Sequence, residues 1–249
     1  MTPTQMLARV QRQLAIDLNC EVGDLNGEKD GLVFVSAKQN PGRRPFPRGE
    51  QHFEMVTMGN AIVVSASCTL LEEAKKQLQG KTRDDAFSAP FVYGHAIYYL
   101  PDLGNSQPLS APLGFTYQMY EQGDIANLYN LEGFSNALGY DINHLRPDVI
   151  ALLAKEGENI VAIAGASADC QDMWQIGIDV KPPYRHRGLA AYLTNALAHE
   201  ILCRDKVPYY GTSSSNIASQ RVAHRAHLTP AWMCVYKTRF ALQETLPTG

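Results

Sequence analysis

Between positions 173 and 201 the spacing of apolar residues changes once, and abruptly. Trp174, Ile176, Ile178 and Val180 alternate with other residues, the period of a strand with one buried face. Leu189, Leu193, Leu197 and Ile201 then recur every fourth position, the period of a helix. The connection holds Pro182, Pro183 and Gly188, so a strand turns tightly and opens straight into a helix. The first amides of such a helix have no partners within it, and with the positive end of the helix dipole they form an anion site. Gly188 lets a ligand approach the backbone, Ala190 keeps the helix end slim, and Arg185 and Arg187 add positive charge. Pyrophosphate is the natural guest. The Lys-Ser/Thr ending of a P-loop is missing, and one glycine does not make a dinucleotide fingerprint.

The rest of the chain supplies partners for this unit. Apolar positions over 5–18 predict a helix, 31–36 a strand, and 53–58 with 61–65 a hairpin around Gly59-Asn60. The run 70–78 is a helix of good formers that stops at Gly80, and 95–100 is a strand ended by Pro101. The Gly-, Pro-, Ser- and Asn-rich stretch 102–113 is the expected boundary. It divides the chain into a lobe of unknown role, 1–110, and a second domain, 111–249. There the expected order is a strand at 115–120, two short helices from 125, strands at 149–154, 160–166 and 173–180, and a helix at 189–201. A strand at 207–212, a helix at 217–226 and a strand at 232–240 complete it. This order predicts an α/β or α+β domain with one central sheet.

Charge and hydropathy narrow the function. Basic and acidic side chains number 22 and 25, giving −3, which excludes a nucleic-acid binder that works by bulk positive charge. No run of about 20 apolar residues exists, and the first 20 residues lack the apolar core of a signal peptide. Membrane attachment is therefore not expected. Five dispersed cysteines without a CxxC pair predict reduced thiols and a cytoplasmic location.

Arg185-His-Arg-Gly188-Leu-Ala190 resembles the R/Q-x-x-G-x-G/A loop of the GNAT superfamily of acyl-CoA N-acyltransferases. Asn216-Ile-Ala-Ser219 is similar to that superfamily's second cofactor-contacting helix. The resemblance covers roughly 115–240, and the whole chain looks like bacterial two-part members with an extra N-terminal lobe. It implies an α+β fold with a mixed, mostly antiparallel sheet flanked by helices, a smaller α+β lobe ahead of it, and acetyl-CoA as cosubstrate. Backbone of Ile178, Asp179 and Val180 would pair with the pantetheine arm and hold the thioester carbonyl. Amides of His186, Arg187, Gly188, Leu189, Ala190 and Ala191, with Arg185 beside them, would hold the pyrophosphate. Asn216 and Ser219 would meet the cofactor arm. The acceptor would be a small-molecule or peptide amine; a homodimer is left open.

The acid–base residues depart from the family pattern. A tyrosine expected seven residues after the asparagine is Ala223, a glutamate expected five before it is Gly211, and a strand glutamate falls at about Trp174. The Gly-Phe pair after the second helix is His227-Leu228. Asp172 is the expected base and His224 the expected acid; Asp169 and Cys170, close by, are turn and idle residues on the blander reading. A CoA-binding sensor without turnover is the alternative these departures leave open. His199 with Cys203, and His224 with His227, have helical spacing but supply only two ligands each, so no metal is expected. Arg43, Arg44 and Arg48 could hold an acidic group. Tyr93, Tyr98, Tyr99, Phe87 and Phe91 could line a cleft, though such aromatics are more often core. Asp84 and Asp85 could attract a cationic amine.

Overall fold

The computed structural model describes residues 1–44, 52–105, 107–139, 143 and 145–240. The early elements are α1 (Pro3–Leu18), α2 (Val22–Leu25), β1 (Leu32–Ser36), β2 (Phe53–Thr57), β3 (Ile62–Ala66), α3 (Cys68–Leu78), α4 (Arg83–Phe87) and β4 (Val92–Pro101). There follow β5 (Thr116–Glu121), α5 (Gln122–Ile125), β6 (Asp148–Glu156), β7 (Asn159–Ala168) and β8 (Met173–Val180). The chain continues as α6 (Leu189–Cys203), β9 (Val207–Ser213), α7 (Ile217–Arg225) and β10 (Leu228–Thr238). Between β5 and β6 only one short α-helix, α5, stands among the described residues; it passes into a 3-10 turn at Ala126–Leu128, and turns follow through 139.

Two compact units emerge, and neither is continuous in sequence. One comprises 1–13, 42–46 and 97–231; the other comprises 14–41, 47–96 and 232–249. This differs from a single cut between 110 and 111. The reason is that β4 and β10 are each longer than their apolar runs suggest, and each gives residues to both units.

In the first unit the strand order is β4, β9, β8, β7, β6, β5. Pairs β5/β6, β6/β7 and β7/β8 are antiparallel, while β8/β9 is parallel. Helix α6 packs on β6 to β9 through Leu189, Leu193, Leu197 and Ile201, each no more than 1% exposed. Burying each of these contributes roughly 1.5–3 kcal/mol. The small residues Ala162, Ala164 and Ala166 of β7 belong to the same core, which allows the helix to lie close to the sheet. The other face of β6 and β7 carries Ala151, Leu153 and Ile163, packed with Ile125, Phe134 and Leu138 from α5 and the turns after it. The mixed, mostly antiparallel sheet flanked by helices is therefore the fold expected for this region.

In the second unit β1 pairs in parallel with β3, β3 with β2 antiparallel, and β2 with the 233–235 part of β10 antiparallel. Its core gathers Met55, Ile62, Val64, Leu71, Leu78 and Val235. Gly80, with φ of 79°, lies just past α3, a left-handed position that a side chain would strain.

Candidate active site

Strand β8 pairs with β9 over four residues only, from Met173↔Val207 to Ile176↔Tyr210. No described pair continues that ladder, although β8 runs on to Val180 and stays paired with β7 to its end. The edge of Ile178, Asp179 and Val180 that faces β9 is thus open to a ligand backbone. Past it the chain turns through Pro182–Tyr184 and enters α6 with Gly188 as its first flanking residue, at φ 83°. His186 is also left-handed, at φ 62°. Among the described residues, none of the amides of 186–191 has a hydrogen-bond acceptor. A row of unpartnered amides at the start of a 15-residue helix is a site for an anion.

The side chains of the loop serve the loop itself. Arg185 Nε donates to Val180 O at 3.2 Å. The Arg187 guanidinium lies 4.4 Å from the Phe115 ring centroid and 3.4 Å from Glu156 Oε1, and Tyr184 Oη donates to Glu156 Oε2 at 2.9 Å. That hydrogen bond raises the Tyr184 pKa. Arg187 is therefore a clamp on the loop rather than an outward-pointing phosphate ligand. Asn216 caps α7, its Oδ1 accepting from Ser219 N at 3.1 Å, and Ser219 Oγ shares a hydrogen with Tyr210 Oη at 2.5 Å. Burial raises the Tyr210 pKa, so this phenol keeps its proton.

Asp172 and His224, the expected base and acid, are not brought to the open edge. Asp172 precedes β8, its carbonyl accepts from Val207 N, and its carboxylate lies 4.0 Å from Lys206. At about 3.3 Å per residue it stands roughly 20 Å along the strand from Ile178. His224 is exposed and meets the Tyr99 ring edge-on at 5.7 Å. Asp179 is committed elsewhere: its carboxylate accepts from Asn136 N at 2.7 Å, Asn136 Nδ2 at 2.7 Å and Ala137 N at 3.0 Å. Among the described residues no group of three or more His, Cys, Asp or Glu could hold a metal. No described helix is long and apolar enough to cross a membrane.

What the sequence does not single out is a cavity of about 200 Å³ between the turns 135–139 and the ends of β7 and β8. It is lined by a register row across three strands, Asp148↔Ser167 and Ser167↔Gln175, a row that continues beyond the cavity to Tyr209 of β9. Beside this row lie Gly165 and Gly177, themselves register partners. Behind it sits Asp169, 3% exposed. Its carboxylate accepts from Ser167 Oγ at 2.7 Å, from Arg146 at 3.3 Å and, in a short hydrogen bond, from Tyr209 Oη. Burial drives the Tyr209 pKa far up. Tyr98 leans on Tyr209, and Arg44 stacks 5.5 Å from the Tyr209 ring centroid. Arg48 lies outside the described residues. The lone strand glycines 165 and 177 are the one sequence signal that could have revealed this region, since such glycines mark close backbone approach. A wider groove of about 500 Å³ lies in the second unit, lined by Phe34, Lys75 and Lys81 among others, and holds none of the expected cofactor residues.

Residues 140–226 match the model of the GNAT acetyltransferase family. No protein of curated function matches the sequence. Among solved structures, a GCN5-related N-acetyltransferase-like protein from Streptococcus suis 89/1591 is 15% identical over 96% of this chain and 100% of its own, with a TM-score of 0.48. A GNAT-family chain from Novosphingobium aromaticivorans DSM 12444 is 18% identical over 57% of this chain, with a TM-score of 0.40; the match spans 62% of that chain. A Salmonella typhimurium structure solved with its cofactor acetyl-CoA is 16% identical over 53% of this chain and 99% of its own, with a TM-score of 0.36.

Proposed function

We propose that this chain, which belongs to the GNAT superfamily, transfers an acetyl group from acetyl-CoA to a primary amine by direct attack on the thioester. The observation that carries this reading is the parting of β8 from β9 beside a helix start whose amides lack partners. The free edge of Ile178–Val180 pairs with the pantetheine arm and directs backbone donors at the thioester oxygen, where charge develops as the amine adds. Amides 186–191 hold the diphosphate, with the Arg187–Phe115–Glu156 clamp fixing the loop. Asn216, whose Oδ1 is occupied by the α7 cap, offers its Nδ2 to the cofactor arm. In the reaction a C–N bond forms, the C–S bond breaks, the thiolate takes up one proton and the amine loses one.

A second reading, a CoA-binding sensor without turnover, draws on Ala223. That residue is fully buried and gives no phenol to protonate the thiolate. Calorimetry of CoA binding beside a thiol-release screen over amines separates the two. Binding with thiol release on at least one amine is expected. Binding without release on any amine would favour the sensor, and no binding would overturn both.

A further inference from the structure

In the second unit β1 is a terminal strand, with β3 on one side and no strand on the other. Its ladder fixes which backbone groups face outward. Gly31 O accepts from Ile62 N at 2.8 Å and Ala37 N donates to Ala66 O at 2.8 Å, so the odd-numbered residues of β1 turn their backbone groups to β3. The even-numbered residues turn theirs the other way. The N–H and C=O groups of Leu32 and Phe34 thus look outward, and among the described residues they have no partner. At Ser36 the outward carbonyl accepts from Asn19 Nδ2 at 2.9 Å, which closes that end of the edge. Natural edges are blunted by charge, proline or a bulge. Leu32-Val-Phe-Val-Ser36 has no charge and no proline, and its five register pairs with β3 run without a shift.

The groove of about 500 Å³ runs beside this open edge, lined by Leu32 and Phe34 from β1, Lys75 and Gln79 from α3, and Lys81 just past it. Asp30 is the one carboxylate among the described lining residues, and its Oδ1 accepts from Arg83 N at 3.1 Å. Lys75 pairs at 2.9 Å with a Glu72 that is 78% exposed, a surface contact that another carboxylate can replace at little cost. We infer that this edge takes an extended peptide segment as an added strand, and that the segment is acidic on the side facing the groove. Such a strand supplies main-chain partners to Leu32 and Phe34. Its alternate side chains fall on the groove side, where carboxylates meet Lys75 and Lys81. The intervening ones fall beside Val33 and Val35, both half-buried, where apolar residues suit. A second copy of this chain fits less well. Pairing β1 with itself would bring two lysine-lined grooves together on one face, and a five-residue seam falls short of the roughly 1,200–2,000 Å² of a stable interface. The inference is independent of the acetyl-transfer reading.

The test titrates the full chain into two fluorescein-labelled peptides, Val-Glu-Val-Glu-Val-amide and its counterpart with lysine in place of glutamate. Anisotropy should show saturable binding of the glutamate peptide, about tenfold or more tighter than the lysine peptide and weakening as salt rises. Phe34→Pro removes an outward N–H that takes no part in the ladder to β3, and edge strands admit proline at such positions. It should weaken the glutamate peptide about tenfold or more, because a strand carbonyl loses its donor. Phe34→Leu keeps the N–H and should bind within about threefold of wild type, which separates the backbone group from the ring. Where Phe34→Pro fails to fold by circular dichroism, Lys75→Glu with Lys81→Glu carries the test, since neither lysine is buried. That double variant should reverse the preference to the lysine peptide. No saturable binding of the glutamate peptide to wild type up to about 1 mM would overturn the inference. So would equal affinities for the two peptides, a folded Phe34→Pro that binds as wild type does, or an unreversed preference in the double lysine variant. Sedimentation that finds a wild-type dimer dissolved by Phe34→Pro would give the edge to a second copy and overturn the peptide as its occupant.

Discussion

Gly177→Ala isolates the contact that holds the cavity wall. A Cβ at Gly177 would stand 1.7 Å from Asn136 O and 2.7 Å from its carbon. These are backbone atoms, so no side-chain rotation relieves the overlap. Since real Cβ atoms essentially never approach within 3.0 Å, the turn at 136–137 must retreat by at least 1.3 Å. Asp179 sits two residues along the same face of β8 and holds that turn by hydrogen bonds of 2.7, 2.7 and 3.0 Å. Lengthened to about 4 Å, they cease to be hydrogen bonds. Bonds to a charged group contribute roughly 1.5–3 kcal/mol each; with water replacing part of that at a half-buried carboxylate, the net loss is about 3 kcal/mol. For a chain of this size that is a fall of roughly 6–12 °C in Tm. Scanning calorimetry of Gly177→Ala should show it. Gly123→Ala, where a Cβ meets nothing within 4 Å, should stay near wild type, and Asp179→Asn should fall in between. A drop below 2 °C for Gly177→Ala would refute the close approach of the turn to β8.

Gly188→Glu should remove CoA binding from a protein that still folds, seen by calorimetry beside circular dichroism. The left-handed φ of 83° costs a side chain about 1–2 kcal/mol, and the added carboxylate repels phosphate; unchanged affinity would remove this loop from the cofactor site. Asp172→Asn should keep kcat/KM for the amine within twofold of wild type, because the carboxylate lies at the far end of β8; a loss of 10² or more would restore it as the base. His224→Ala should likewise leave the pH profile unchanged. Burial pushes the Cys20 thiol up to about 12, so at pH 8.5 it should alkylate far more slowly than the exposed Cys68 and Cys203. The same shift means that its contribution to stability is complete below the ordinary thiol range and is lost as pH rises through about 12. Equal mass-shift kinetics for the three thiols would contradict the burial.

The strand, loop and helix proposed to hold the cofactor were legible because they are local. A period of two giving way to a period of four around Gly188 defines strand, loop and helix in one stretch, and Asn216 announces the cap of α7. The cluster of Ser167, Gln175, Tyr209 and Asp169 was not legible, because the first three meet only through strand register and Asp169 joins them from a turn. Nothing in a single sequence pairs β7 with β8 and β8 with β9. Asp172 stood out by its adjacency to β8, and the rise per residue places it at the end of that strand opposite the loop. The strands β4 and β10 were read short. Gly94, at φ 76°, and Pro230 interrupt their patterns, and each strand runs past the interruption.

The parting of β8 and β9 has a cause in the same residues. Continuing the register beyond Ile176↔Tyr210 would set Gly177 opposite Gly211, and neither strand is free to stay there. On β8, the Asn136 carbonyl occupies the space of a Gly177 side chain, and Asp179 fastens the next turn of the strand to the same segment. On β9, the edge of the Tyr98 ring occupies the space of a Gly211 side chain, 2.6 Å from where its Cβ would be. Two glycines at one register position thus let two different neighbours approach, and each strand is held by its own. The parallel ladder ends where those attachments begin. The backbone groups of Ile178 that would have continued it have no partner on β9, while the Val180 carbonyl accepts from Arg185 Nε. A side chain at either glycine would disturb an attachment first, so the opening belongs to the packing of the fold.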